Sequence, residues 1–338
     1  MPKTMLARIA ACTLGCLVAT APVRAANEGL ENPRSASFDK ALKSKKVIFI
    51  PLAMGFDLTE GWAAVMKQQA KRLDYTVEIR DPNWSTDAGT RALSAAIGEK
   101  PDLLVVHNPD IQSYARLLKQ AQAAGIKVLQ VNLESNTTTD SYVGANWSEI
   151  GVQAADAIVR QCGTGKGKST KIAIDTGVPT AASDVFQLSG IYSVLKQHPE
   201  IQVVSQQATE YNAEKARSIM ETVLQQNPDL CGAIGIWDNQ DTGTASAIAQ
   251  AGKADQVFLV TSGGGNKVGC DNVSKGLFNL YISYDVPLQG QILNAEIARL
   301  LQSDQPAGAS KALYFNPLTL ITKSNANART CWTLDDLR

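Results

Sequence analysis

Apolar and polar positions alternate along this chain in blocks. Val47–Leu52 is a nearly unbroken apolar run, the pattern of a strand buried on both faces. Leu58–Leu73 then carries Trp62, Val65, Met66, Ala70 and Leu73 at the three- and four-residue spacing of one helix face. The two signals repeat as strand Thr76–Ile79, helix Thr86–Ile97, strand Leu103–Val106, helix Ile111–Ala124 and strand Lys127–Val131. Asp110 is placed to cap the last helix and Gly125 to end it. After Tyr142-Val143-Gly144 the alternation restarts. Helices Ser148–Arg160, Ser183–Gln197, Ala213–Gln226 and Thr242–Ala251 interleave with strands Lys171–Asp175, Gln202–Ser205, Ala233–Ile236 and Val257–Thr261. The second half repeats the layout of the first. The pattern predicts an α/β protein of two doubly wound parallel-sheet lobes. Residues 26–44 precede the alternation and read as a polar, irregular lead-in.

The length of 338 residues exceeds one compact core and fits two lobes. The first 25 residues have the layout of a secretory signal. Lys3 and Arg8 precede a short apolar stretch from Ile9 to Pro22, and Val23-Arg24-Ala25 offers a cleavage site. That stretch is shorter than the ~20 residues a membrane-spanning helix needs. Periplasmic export is therefore expected. Those residues hold three bases and no acid, so the remainder carries 29 bases against 32 acids, without a basic stripe. Nucleic acid is not an expected partner. Cys12 and Cys16 leave with the signal; Cys162, Cys231, Cys270 and Cys331 remain. An even number in an oxidising compartment reads as two disulfides with three possible connectivities, and the spacings are not those of a zinc site.

In doubly wound sheets ligands bind beyond the carboxyl ends of the strands. The segments there are Met54-Gly55-Phe56-Asp57, Asp81-Pro82-Asn83-Trp84, His107-Asn108, Asn132, Thr176 to Asp184, Tyr211, Trp237-Asp238-Asn239 and Ser262 to Asn266. Aromatics, amides and carboxylates dominate, and no arginine or lysine occurs among them. Aromatic faces cover the C–H faces of a polyhydroxy solute, and carboxylates and amides bond its hydroxyls. Wrong solutes are rejected by polar groups left unpaired, at about 1–3 kcal/mol each. The two histidines, His107 and His198, lack a neighbouring nucleophile motif, so no catalytic set, cofactor or metal is expected. Gly163 to Thr170 (GTGKGKST) lacks the first glycine of a phosphate loop and precedes a strand; it reads as a solvated basic loop.

In this order the segments resemble the type I periplasmic binding proteins of the ribose and galactose group. The resemblance runs over residues 45–325. It is carried by Ala70-Lys71-Arg72-Leu73-Asp74-Tyr75, by Pro101 to Val106 with Asn108-Pro109, and by Ala124-Gly125-Ile126-Lys127-Val128. Tyr142 to Asn146, Asn227-Pro228-Asp229-Leu230 and Trp237-Asp238 complete it. It implies lobes of residues 45–145 with 285–315 and 146–284 with 316–338, closing on a three-segment hinge near Asn146, Tyr284-Asp285 and Asn316-Pro317. Transferred residue by residue, it implies ligand contacts at Phe56, Asp57, Asn132, Trp147, Asp184, Tyr211, Asp238 and Tyr284; Trp237 joins them from its strand-end position. On the layout it implies, Cys162 and Cys231 fall at the amino ends of second-lobe strands, and Cys270 and Cys331 fall in the same lobe. The expected bridges are Cys162–Cys231 and Cys270–Cys331, serving stability.

The chain departs from the family where Ser262-Gly263-Gly264-Gly265 replaces an expected Asp. Leu133 and the region of Asp184-Val185 replace arginines, and Tyr284 replaces a Gln or Asn. These departures point to an aromatic-lined site for an atypical sugar, a polyol or a ring-bearing solute. The resemblance implies the solute-binding subunit of an ABC importer, with the membrane permease as partner and no enzymatic turnover. A sensor subunit presenting a signal molecule to a chemoreceptor or sensor kinase is the alternative.

Overall fold

The computed structural model describes residues 32–166 and 169–338. The export signal expected at residues 1–25 lies outside these residues, as do positions 167 and 168 of the basic loop.

Two six-stranded sheets organise the chain. The first contains β1 (Lys46–Ile50), β2 (Thr76–Ile79), β3 (Leu103–Val106), β4 (Lys127–Val131), β5 (Ser141–Gly144) and β11 (Ala312–Phe315). Its order is β11-β5-β4-β3-β1-β2, all parallel. The second contains β6 (Lys171–Thr176), β7 (Gln202–Ala208), β8 (Gly232–Gly235), β9 (Phe258–Gly263), β10 (Leu280–Ser283) and β12 (Thr319–Ile321). Its order is β12-β10-β9-β8-β6-β7, parallel except for β12. Each sheet reverses its winding at its first strand, β1 or β6, and leaves a crevice there. The central strands β1, β3, β4, β8 and β10 are buried almost throughout, which is why β1 and β3 read as apolar runs; β10 is not among the strands expected from sequence.

The flanking helices are α1 (Pro33–Leu42), α2 (Asp57–Leu73), α3 (Thr86–Glu99), α4 (Ala115–Ala123), α5 (Trp147–Cys162), α6 (Ala182–Leu195), α7 (Ala213–Gln226), α8 (Asp238–Gln250), α9 (Lys267–Ser274) and α10 (Val286–Gln302). Side chains of Ser85, Asn146, Asn212, Asn266 and Asp285 accept backbone N–H bonds that start α3, α5, α7, α9 and α10. The helices α5 and α6 touch at two glycines. A Cβ on Gly151 would come within 2.1 Å of the Gln187 carbonyl oxygen, and one on Gly190 within 2.1 Å of that of Ser148.

Three sequence expectations need correction. The lead-in is not irregular, because residues 33–42 form α1. Asn32 caps this helix with a proline in its first turn, and it packs on α10 with Leu42 fully buried. Asp110 does not start α4. Its Oδ1 accepts from the N–H of Gln112 and Ser113 in a local turn, at 2.7 and 2.8 Å, and the helix begins at Ala115. Helix α8 begins at Asp238, four residues before Thr242, with Trp237 as its cap residue.

The chain passes between the sheets three times, after β5, after β10 and after β11. Asn316 ties the later two passages together by donating to the Tyr284 carbonyl at 2.8 Å. Disulfides join Cys162 to Cys231 and Cys270 to Cys331.

Candidate functional site

The carboxyl ends of the strands of both sheets face a common crevice, which direct bonds cross. The N–H of Ile111, after β3, donates to the Thr180 carbonyl, after β6, at 3.1 Å. The Asn266 amide donates to Asp57 Oδ2 at 3.1 Å. Between them lie three adjoining cavities of about 220, 40 and 250 Å³.

The first cavity has a polar wall. Asp57 and Asp238, the first residues of α2 and α8, face it with Asn239, Asn266 and Asn272. Asp238 is buried and accepts from the Tyr281 hydroxyl at 2.7 Å. Burial pushes its carboxyl up to about 6, and the Tyr281 bond opposes the shift. The glycine run after β9 makes room for it. A Cβ on Gly263 would stand 2.5 Å from Asp238 Cγ, and Gly265 takes a φ of +81°.

Phe56 and Trp237 divide the first cavity from the small central one, with rings 5.8 Å apart and edge to face. The central cavity is enclosed by Phe56, Trp84, Trp147, Tyr211 and Trp237, with leucines 52, 58 and 133. Its polar side chains are Asn132, Ser183 and His107. Asn132 follows β4 at a φ of +61°. Its carbonyl oxygen accepts from Trp147 Nε1 at 2.7 Å, and its Oδ1 accepts from Gln289 at 3.1 Å.

The outer cavity shares Trp84 and Tyr211 with the central one and adds Ser85, Asp110 and Glu210. Both shared aromatics sit in strained loops after the edge strands β2 and β7. Asn83 and Trp84 have φ of +47° and +66°, and Glu210 and Tyr211 have +56° and +58°. Each such residue costs about 1–3 kcal/mol, strain that is kept where a loop must present a side chain.

Of the residues expected from sequence, Phe56, Asp57, Trp237 and Asp238 meet at the first cavity, and Asn132, Trp147 and Tyr211 at the central one. Two stand behind the wall. Asp184 is fully buried and accepts from the Ser183 and Tyr211 hydroxyls at 3.0 and 2.8 Å. Tyr284 packs edge-on against Trp147 at 5.3 Å. Sequence reasoning missed Trp332, which lines the first cavity and donates to the Gly264 carbonyl at 2.7 Å. Trp332 follows Cys331 in the C-terminal segment, far from any strand end, so its only signal was the neighbouring cysteine. Trp84 carried the strand-end signal but stood outside the expected contact set.

Around the second sheet stand four buried carboxyls: Asp238 at the first cavity, and Asp175, Asp184 and Asp241 behind the site. Among the described residues none of the four pairs with a lysine or arginine. Burial pushes Asp175 up to about 7, with a Thr244 bond opposing, and raises Asp241 well above its ordinary range. A carboxyl raised in the folded state contributes stability that is full below the unfolded value near 3.9 and is lost as pH rises through the folded value. His107, lowered to about 3 by burial, acts oppositely, but only below the ordinary histidine value of about 6.5. Stability is therefore expected to fall between about pH 6.5 and 8. Urea midpoints across that window are expected to decline for the unaltered chain and less for Asp175→Asn. Equal slopes would remove the carboxyl explanation.

A family profile described as a periplasmic binding protein domain matches residues 47–305. The D-apiose import binding protein of Actinobacillus succinogenes is 24% identical over 57% of this chain and 62% of its own length. The ribose import binding protein of Bacillus subtilis is 26% identical over 60% of this chain and 64% of its own length. The chain thus spans a little under two thirds of either relative. An ABC transporter solute-binding protein from Agrobacterium vitis, solved with α-D-tagatopyranose, has the same fold. Its TM-score is 0.74 at 21% identity, covering 86% of this chain and 100% of that one.

Proposed function

We propose a function from one established premise: this chain belongs to the periplasmic binding protein domain family. It is the solute-binding subunit of an ABC importer, trapping one sugar or polyol in the crevice between its lobes and delivering it to a membrane permease. The observation that carries this reading is the crevice itself. Aromatic rings from both lobes meet there beside Asp57 and Asp238, the chemistry a polyhydroxy ring requires. The names of the relatives, which are import binding proteins, favour import over the sensor role. No step of turnover is assigned to any residue.

The lobes of this reading are residues 45–145 with 285–315 and residues 146–284 with 316–338. Strand membership in the two sheets supports that division. Ligand contacts are assigned to Phe56, Asp57, Asn132, Trp147, Tyr211, Trp237 and Asp238, with Asp184 and Tyr284 holding Tyr211 and Trp147 in position. Residues 1–25 are read as the export signal and the periplasm as the destination.

The test is a thermal-shift panel of D-ribose, D-apiose, D-allose, D-tagatose, D-fucose, L-arabinose and common polyols. A ligand at 100 times its Kd adds about 2.7 kcal/mol to folding stability, a shift of several degrees. If no sugar or polyol moves the midpoint, the ligand class is wrong. If one does, but its uptake is unchanged when the gene is deleted, the importer role fails.

A further inference from the structure

We propose that His107 is the specificity-determining contact of the crevice, selecting a neutral cyclic solute that places a hydroxyl in the central cavity and carries no carboxylate or phosphate. This deepens the reading above and rests on it.

Beside its tyrosine and tryptophans, three polar side chains line the central cavity, and two of them are bonded within the wall. Asn132 Oδ1 is taken by Gln289, and the Ser183 hydroxyl is bonded to Asp184 and Tyr211. His107 differs: it is 1% exposed, and neither ring nitrogen has a partner. A buried imidazole without a partner is disfavoured, and a group that enters the cavity is the natural acceptor or donor for it. The ring is held in place. It stands edge-on to Trp62 at 5.2 Å, Trp62 Nε1 is fixed by Gln289 at 2.9 Å, and the backbone N–H of His107 donates to the Ile50 carbonyl at 3.0 Å. Burial keeps the ring neutral, so one nitrogen donates and the other accepts. A hydroxyl, itself both donor and acceptor, suits either nitrogen.

Charge excludes anions. No lysine or arginine lines the central cavity or either neighbour, whereas Asp57, Asp238, Asp110 and Glu210 do line the neighbours. A carboxylate or phosphate would lie desolvated among like charges.

The chain holds two histidines, so 15N-histidine labelling gives two imidazoles, with His198 as the internal reference. Each neutral sugar of the panel that stabilises the chain is titrated, and D-galacturonate and D-ribose 5-phosphate are tried beside it. The His107 ring nitrogens are expected to shift on saturation while those of His198 stay, and the two anions are expected to give no stabilisation. His107→Phe, which keeps a ring against Trp62, is expected to weaken the sugar about tenfold or more. A stabilising sugar that leaves the His107 nitrogens unmoved overturns the assignment and leaves the sugar-trap reading intact. So does a variant with unchanged affinity, or an anion that binds better than its neutral counterpart. If His107→Phe does not fold, the labelled unaltered chain decides. If no sugar stabilises the chain, the sugar-trap reading falls and this proposal falls with it.

Discussion

Trp237→Ala is expected to weaken the stabilising sugar about a hundredfold, the largest single effect on binding. Trp237 stands where the first and central cavities meet, with rings of Phe56, Tyr211 and Trp84 at 5.8, 5.6 and 6.4 Å. It comes from the second sheet, whereas Phe56 and Trp84 come from the first, so its removal opens the contact that brings the two sides together. Truncating an aromatic anchor at a desolvated interface costs 2 kcal/mol or more, and each 1.4 kcal/mol is tenfold in affinity. Trp237→Phe keeps the ring and is expected to lose about tenfold or less. Titration calorimetry with the panel sugar checks both, and circular dichroism checks that the fold survives. An alanine variant within threefold of the unaltered chain would take Trp237 out of the site.

The second large effect concerns stability. Replacing Cys162 and Cys231 by serine is expected to cost about 4 kcal/mol, because the bridge closes a loop with a sequence separation of 69. That corresponds to a fall in melting temperature of about 6 °C for a chain of this length. The bridge ties the end of α5 to the start of β8, at the strand ends away from the crevice, so ligand affinity is expected to hold. The same change at Cys270 and Cys331 should behave differently. Cys331 precedes Trp332, which bonds Gly264 at the first cavity, so loosening that segment is expected to cost affinity as well as stability. Melting curves and titrations on the two double variants separate these outcomes. Unchanged stability in the first, or unchanged affinity in the second, would refute the corresponding assignment.

The strands β2, β3 and β4 have the bounds expected from sequence; β3 and β4 are covered on both faces and leave mostly apolar runs, whereas β2 is a half-exposed edge strand. The helix α2 was legible for a related reason: one face carries Trp62, Val65, Met66 and Ala70, all buried. Helix starts were less legible. Asp110 satisfies two nearby N–H groups in a turn that resembles a helix start in sequence alone, and α8 begins with a carboxyl whose partner, Tyr281, lies 43 residues away. Helix α1 shows no strong apolar face. It is held by packing on α10, an element more than two hundred residues later.

Sequence alone therefore determined the two-sheet architecture and the strand ends that build the crevice, since local apolar periodicity records which faces are buried. It also determined the chemistry available there, rich in aromatics, amides and carboxylates and free of cations. Only the tertiary structure decided which of those side chains front the cavities. Asp184 and Tyr284 carry the same strand-end or hinge signal as Tyr211 and Trp147, yet stand behind them, because burial and hydrogen bonding to non-local partners set their depth. Trp332 reaches the site from a C-terminal segment bridged to α9, and His107 shows its missing partners only once the walls around it are closed. Depth and pairing are properties of contacts between distant segments, and no local pattern encodes them.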